Sequence, residues 1–347
     1  MTKVTVLGAG AMGSAICNPL AKAGWDVHLW GTWLDDHLID AIDAGKPHPR
    51  TNAIIASEVT TYRSADLDKA LDGANVVILA VASVGVPKVT EMALAGMAKA
   101  DAVWLTSKGF NPDPDGKIEL LPAALRRIAK DNGVDSLPPI VAVAGPVKAN
   151  ECATGEPTAT IFGCSDLAVA QKYAREASTS RYRIEATDDE VGVEICAPMK
   201  NVYAISLGIA DGLEEATGFP HHNLKAATFA QAVKEMSVLG QALGANPATA
   251  FGLAGVGDLE VTGLSGRNKV YGVRLGRGES PQDALAEMER LEQTVEGVPA
   301  AAYAEDLVSQ LGIGEEQVPL FFAVSRILDG RITNVKEELA QAVLPRQ

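Results

Sequence analysis

The stretch KVTVLGAGAMG, Lys3 to Gly13, constrains this chain more than any other. An apolar run of strand length turns on glycines and passes directly into a helical pattern from Ala11 to Ala23. Gly8, Gly10 and Gly13 stand at GxGxxG spacing. The first allows a tight turn, the second lets a pyrophosphate approach the backbone, and the third lets helix pack on strand. Around Ala11 and Met12, N–H groups without helical partners are ready to receive phosphate charge. A lone GxGxxG is a weak signal. One set between a strand and a helix points to a dinucleotide.

The first half continues in the same rhythm. Apolar runs at 26–31, 75–82, 102–107 and 139–145 alternate with helical patterns, one of them from Trp33 to Ala44. Such βαβ alternation predicts a parallel sheet with helices on both faces. Two further strands are expected at 157–163 and 180–186. After Thr187 the strand signals stop, and helices are expected at 188–213, 222–243, 267–277, 281–291, 296–311 and 316–329. The expected fold is α/β: a Rossmann-type doubly wound sheet over 1–187, then an all-α substrate-binding domain over 188–347, with a cleft between them.

The choice of cofactor turns on the end of the second strand. NAD-binding sheets place an acid there for the ribose 2′-hydroxyl. This chain has Trp30, Gly31 and Thr32, with no carboxylate until Asp35. Without that acid a 2′-phosphate meets no repulsion, so the reading leans to NADP, with NAD as the alternative. Thr32 and Arg50 of HPR are the candidate ligands of that phosphate. The plain alternative for Arg50 is a solvated loop residue.

With 30 basic and 44 acidic residues the net charge is −14, which argues against a nucleic-acid surface or an anionic membrane. Cys17, Cys152, Cys164 and Cys196 are scattered without a CxxC pair and read as reduced thiols of a cytoplasmic protein. The first residues run straight into a strand, so no signal peptide is expected. No apolar run reaches membrane-spanning length uninterrupted. No metal is expected.

The segment EICAPMKNVYAISLGIADG, 194–212, is apolar all round except for Lys200. Its helical neighbours at three and four residues are Cys196, Ala197, Tyr203 and Ala204, none of them acidic. An unpaired buried charge is costly. Lys200 therefore either faces a binding cleft or snorkels to water at a bend made by Pro198.

Four more segments follow strand ends or helix starts, where open α/β sheets bind ligands. They are SKGF with Lys108, AGPVKANE with Gly145, the glycine-rich 252–272 with Asp258, Arg267 and Asn268, and VEGVPA with Glu296. Each has a plain structural alternative. Lys108 and Arg267 could be surface cations, Asp258 a cap, and Glu296 a dipole-favoured first-turn acid. Asn201 and Asn268 could simply satisfy backbone groups. The glycine density of 252–266 is harder to dismiss, since glycine is costly unless the backbone must bend or be approached closely.

Taken together, these segments resemble the NAD(P)-dependent glycerol-3-phosphate dehydrogenases, from Val4 to about Leu328. The lysine–asparagine helix, GDL and RN are the specific matches. The resemblance implies interconversion of sn-glycerol 3-phosphate and dihydroxyacetone phosphate, a place in glycerophospholipid synthesis, and a homodimer. It makes Lys200 the catalytic acid/base beside the C2 oxygen. Lys108, Gly145 and Asp258 would meet the substrate, and Arg267 with Asn268 would hold its phosphate. Lys108, Ala149, Arg267 and Glu296 would also border the cofactor. The chemistry agrees: hydride arriving at a ketone builds negative charge on oxygen, which an ammonium stabilises and protonates. A guanidinium suits bidentate phosphate contact.

The chain departs from the family pattern at four places. Val147 and Gly266 stand where serines are usual, CAPM replaces Gly-Ala-Leu before the lysine, and Ala11-Met12 replaces Ser-Trp. Some members, archaeal ones among them, share GAGAMGSA, WGT, HPR and GRN. A longer phosphorylated polyol is the neighbouring alternative substrate. A non-catalytic NADP-binding sensor is the alternative of another class.

Overall fold

The structure, a computed structural model, describes residues 1–345. Its strands are β1 (Lys3–Leu7), β2 (Asp26–Trp30), β3 (Thr60–Tyr62), β4 (Val76–Leu79), β5 (Ala102–Leu105), β6 (Phe110–Pro112), β7 (Ile118–Leu120), β8 (Ile140–Ala144), β9 (Thr158–Gly163) and β10 (Tyr182–Thr187). Apart from the two-stranded hairpin β6-β7 they form one sheet in the order β10-β9-β8-β5-β4-β1-β2-β3. Successive side chains of a strand point to opposite faces, and here both faces are dry. Val4, Val6, Val76 and Ile78 enter one core with Trp25, Trp104 and Phe162. Leu7, Val77, Leu79 and Leu105 enter the other. That is why these strands read as unbroken apolar runs rather than alternating ones.

The expectation of a wholly parallel sheet needs correction. From β3 to β8 every neighbouring pair is parallel. The strand β9 runs antiparallel to β8, and β10 follows β9. The cause lies in the connection. Between β8 and β9 lie residues 145–157, whose one helix, the six-residue Ala149–Thr154, advances about 9 Å. A parallel crossover must bring the chain back along a strand about 16 Å long.

The second half is helical: Glu190–Thr217, His222–Ala242, Asp258–Leu264, Arg267–Gly276, Pro281–Arg290, Gly297–Gln310, Pro319–Leu328 and Val335–Val343. The expected helices are present, and part of the glycine-rich 252–272 segment is also helical. Contacts divide the chain inside the long helix, not at 187/188. One compact unit holds Met1–Asn111 and Leu120–Glu194; the other holds Pro112–Glu119 and Ile195 onward. The inner part of the hairpin, Pro112–Glu119, counts with the helices, the Ile118 N–H donating to the Gln310 side-chain oxygen at 2.9 Å.

Two devices hold the helices in place. Where Glu190–Thr217 crosses Arg267–Gly276, Gly208 and Gly212 face Gly272 and Gly276. A Cβ on Gly208 would come 2.2 Å from the Lys269 carbonyl oxygen, and one on Gly272 would come 2.0 Å from that of Ile205. These backbones touch directly. Elsewhere, buried Glu235 accepts the N–H groups of Leu320 and Phe321 at 2.7 and 2.8 Å, at the start of helix Pro319–Leu328. It also accepts from the Tyr203 hydroxyl and the Gln231 amide. One carboxylate thus satisfies orphan donors of a helix start and ties three helices together.

Candidate functional site

Because β8, β5, β4, β1 and β2 are parallel, the segments following them emerge on one edge of the sheet. Gly145, Lys108, Val81, Gly8 and Thr32 follow one another along it. This is the edge where open α/β sheets bind ligands.

The glycines of the first turn have separate tasks. Gly8 has φ +113°, and a Cβ there would meet Val81 and the Ala80 carbonyl oxygen within 3 Å. A Cβ on Gly13 would lie 2.0 Å from the Gly8 carbonyl oxygen. Gly10 is different: the nearest atom to its Cβ position is Arg50 Nη1, 3.8 Å away. The turn is therefore tight beneath and open above, at the start of helix Ala11–Lys22. That shape fits the phosphates of a dinucleotide.

Ala9, between the first two glycines, is held on both sides. Its N–H donates to Asp35 Oδ2 at 3.3 Å, and its carbonyl oxygen meets His48 Nε2 at 3.0 Å. Asp35 Oδ2 also accepts the Thr32 N–H and hydroxyl at 2.9 and 2.8 Å. In the sequence no acid follows the end of β2 before Asp35. The chain returns Asp35 to that end, buried and hydrogen-bonded, and commits the Thr32 hydroxyl to it. Arg50 is exposed and reaches the open side of Gly10.

Further along the edge, Ser107 donates to the Val81 carbonyl oxygen at 2.6 Å. A Cβ on Gly109 would lie 2.4 Å from Ser83. Half-buried Lys108 is thus carried between two fixed points. Nearby Glu194 is buried, its carboxyl pushed well above the usual range by burial and by Glu190, against the pull of Lys108 and Arg126. Ala149 opens its short helix, and with Met12 and Val147 it packs against Ala15, Cys152 and Tyr182. Two departures from the family pattern, Met12 and Val147, therefore meet in one apolar cluster.

In the helical unit Lys200 is 7% exposed and Asp258 is 1% exposed. Lys200 Nζ donates to Asp258 Oδ1 at 2.5 Å and to Thr262 Oγ1 at 2.8 Å. The Thr262 hydroxyl in turn donates to the Asp258 carbonyl oxygen at 2.6 Å. The buried ammonium is matched by a buried carboxylate, which removes the cost of leaving a charge dry and alone. Pro198 does not release Lys200 to bulk water.

One residue on, Asn201 Oδ1 accepts from Asn268 Nδ2 at 3.0 Å, and Asn268 Oδ1 accepts the Gly297 N–H at 2.8 Å. Glu296 receives Asn201 Nδ2 at 3.4 Å and Arg267 Nη2 at 3.3 Å. Arg267 and Glu296 remain about half exposed, so the guanidinium is steered by its partner yet open to an anion. A Cβ on Gly266 would come 3.0 Å from the Thr262 carbonyl oxygen; glycine suits the tight approach at this other departure.

The structure thus gathers Lys200, Asp258, Arg267, Asn268 and Glu296 in one unit. It sets Gly8, Gly10, Ala11, Met12, Gly13, Thr32, Arg50, Lys108, Gly145 and Ala149 along or beside one sheet edge of the other. Thr262 and His48 escape the sequence reading. Thr262 is signalled by its four-residue spacing from Asp258 on a helix, once that helix is recognised. His48 has no local signal beyond its place in HPR.

An open phosphate cradle on a parallel sheet, with a paired buried lysine on a helix, defines a dinucleotide-dependent oxidoreductase. Comparison with known proteins narrows the class. Residues 3–170 match the model of the NAD-dependent glycerol-3-phosphate dehydrogenase N-terminus, and 189–339 match that of its C-terminus. The chain is 36% identical to the NADP(+)-dependent glycerol-3-phosphate dehydrogenase of Archaeoglobus fulgidus, over 89% of this chain and 90% of that one. It is 35% identical to the glycerol-3-phosphate dehydrogenase [NAD(P)+] of Xanthomonas campestris pv. campestris, over 99% and 96%. The crystal structure of glycerol-3-phosphate dehydrogenase from Coxiella burnetii superimposes with a TM-score of 0.83 at 26% identity, covering 99% of both chains. The chain belongs to the NAD-dependent glycerol-3-phosphate dehydrogenase family.

Proposed function

We propose that the chain interconverts sn-glycerol 3-phosphate and dihydroxyacetone phosphate with a nicotinamide dinucleotide, NADP in preference to NAD. The observation that carries this is the buried Lys200–Asp258 pair, in the same unit as the Arg267–Asn268 cluster. The bound nicotinamide supplies or accepts the hydride. Lys200 gives its proton to the C2 oxygen as negative charge builds there, and takes it back in the reverse direction. Asp258 and Thr262 fix the amine. Arg267 grips the substrate phosphate from a position set by Glu296, and Asn268 completes that grip. Lys108 and Gly145 border the substrate, and Ala149 the cofactor. The preference for NADP is supported by the archaeal relative's specificity, by exposed Arg50 beside Gly10, and by an Asp35 whose carboxylate is spent on Ala9 and Thr32.

We extend the proposal to a homodimer in the cytoplasm. The four buried free thiols and the exposed apolar side chains of the helical unit, Phe219 among them, support it. Among the described residues no helix is long and apolar enough to cross a membrane.

The test is to mix the protein with dihydroxyacetone phosphate and NADPH or NADH and follow loss of the reduced nicotinamide absorbance. Oxidation of both, faster with NADPH, is expected. Cofactor binding without oxidation would overturn the enzymatic reading. Equal or better turnover of a longer phosphorylated ketose would overturn the substrate.

A further inference from the structure

The ring of His48 is 0% exposed, and both its nitrogens are engaged. Nε2 lies 3.0 Å from the Ala9 carbonyl oxygen and Nδ1 lies 3.2 Å from the Arg50 backbone nitrogen. The partners dictate the tautomer. A carbonyl oxygen only accepts, so Nε2 carries the proton; an N–H only donates, so Nδ1 is bare. The ring is therefore neutral, with one end on the glycine turn and the other on the residue whose guanidinium lies over that turn.

The surrounding segment makes this tether stiff. Pro49 fixes the backbone between His48 and Arg50, and the His48 Nδ1 contact to the N–H two residues on imitates an Asx-turn. The His48 carbonyl oxygen accepts from Thr51 and Asn52, and its N–H donates to Ala53. The side chain of Arg50 then extends until Nη1 stands 3.8 Å from the Cβ position of Gly10. A flexible cation on a free loop would lose much of its contact energy in ordering; this one starts from an ordered backbone.

We propose that His48 is a positioning residue for cofactor binding: by tying Ala9 to the Arg50 backbone it sets the guanidinium over Gly10, where it meets a phosphate of the dinucleotide. The inference rests on the reading of the glycine turn as the NAD(P) site and deepens it. His48 itself touches no ligand. A merely structural His48 would stabilise its own turn and weaken binding independently of Arg50, so the two roles separate in a double-mutant cycle.

The experiment titrates NADPH by its fluorescence into wild type, Arg50→Ala, His48→Phe and the double variant, each checked for a native circular dichroism spectrum. Arg50→Ala is expected to raise Kd about tenfold, the loss of one charge-assisted contact. His48→Phe keeps the ring volume without its nitrogens and is expected to raise Kd by a similar factor. The double variant is expected to bind no more weakly than Arg50→Ala alone. Multiplying losses in the double variant, or an unchanged Kd in His48→Phe, would overturn the positioning role. So would an unchanged Kd in Arg50→Ala, leaving the cofactor site itself intact. A wild-type chain that binds no NADPH would overturn the glycine-turn reading together with it. Should His48→Phe fail to fold, His48→Asn serves instead: its amide oxygen still accepts the Arg50 N–H while the link to Ala9 is lost. The same lack of additivity with Arg50→Ala is then expected.

Discussion

Lys200 and Asp258 form an ion pair 2.5 Å long with both side chains withdrawn from water. They stand 58 residues apart, on helices Glu190–Thr217 and Asp258–Leu264, and Thr262 closes the arrangement by touching both. An ammonium in this position is held, satisfied and kept from bulk solvent. The pair fixes the direction of the amine, as the proposed acid role of Lys200 requires, and leaves a buried carboxylate that depends on it.

That dependence separates structure from chemistry. Lys200→Met removes the proposed proton donor and should lower kcat by about 10²- to 10⁴-fold, with NADPH affinity nearly unchanged. It also strands Asp258, and urea unfolding should show a loss of about 3–5 kcal/mol. Adding Asp258→Leu should restore stability without restoring turnover. A single variant working at a near wild-type rate would remove Lys200 from the mechanism.

The glycines of the first turn should respond differently to alanine. Gly10→Ala adds a methyl where only Arg50 is near, so stability should change by no more than about 0.5 kcal/mol. NADPH affinity should nevertheless fall at least about tenfold, because the methyl occupies the approach of the phosphates. Gly8→Ala meets Val81, the Ala80 carbonyl oxygen and a positive φ, so it should destabilise the fold itself. Thermal melts beside fluorescence titrations distinguish the two. Normal NADPH binding by Gly10→Ala would mean that the phosphates lie elsewhere.

How much of this was legible beforehand follows the range of the interactions. GAGAMG between a strand and a helix carries its own meaning, because turn, cradle and helix start lie within one short segment. The lone cation of EICAPMKN was visible for the same reason. Its partner was not: Asp258 lies in a stretch so rich in glycine that it reads as a loop, and only the fold shows a helix bringing it to Lys200. Asp35 stands past the end of β2 in the sequence, and a turn that returns it to Thr32 and Ala9 leaves no periodic trace. The four glycines of the Lys200 helix crossing carry a partial trace, since Gly208–Gly212 and Gly272–Gly276 repeat at the helical spacing, but nothing local says that the two pairs meet. The reversal of β9 escaped because strand direction depends on the reach of a connection, not on the strand's own residues.

Arg267 should act on binding more than on chemistry. Arg267→Ala removes the fork-shaped guanidinium proposed to bind the substrate phosphate, from a half-exposed position where Glu296 steers it. KM for dihydroxyacetone phosphate should rise roughly 10- to 100-fold with kcat within about threefold. Arg267→Lys keeps the charge but not the fork and should recover only part of that loss. Steady-state kinetics decide it, and an unchanged KM would refute the phosphate role.

The glycine crossing should be intolerant of a single methyl. Gly208→Ala would drive a Cβ into the Lys269 carbonyl oxygen, with backbone on both sides and no side chain able to yield. Separation of the helices should cost about 3 kcal/mol or more. It should also shift Lys200 and Asn201 relative to Arg267 and Asn268, lowering kcat/KM. Urea unfolding and steady-state rates measure the two effects; an alanine variant of normal stability would show that the backbones do not meet.

Glu235 predicts the pH response of the helical unit. Burial raises its carboxyl from 4.5 to about 7, against hydrogen bonds from Gln231, Leu320, Phe321 and Tyr203 that favour the anion. Between those two values the folded chain retains a proton that the unfolded chain has released. Its contribution to stability therefore falls as pH rises through that window, by about 3 kcal/mol in total. Below the window both states are protonated, and above it both are ionised, so the contribution is level on either side. Many other groups titrate, so the comparison should be with Glu235→Leu, which cannot. That variant strands the Leu320 and Phe321 N–H groups and should be less stable at every pH. The wild type's advantage over it should shrink as pH rises from 4.5 to about 7 and then hold steady. Urea unfolding at a series of pH values measures it. An advantage that is constant or grows with pH would show that the folded chain holds Glu235 ionised throughout.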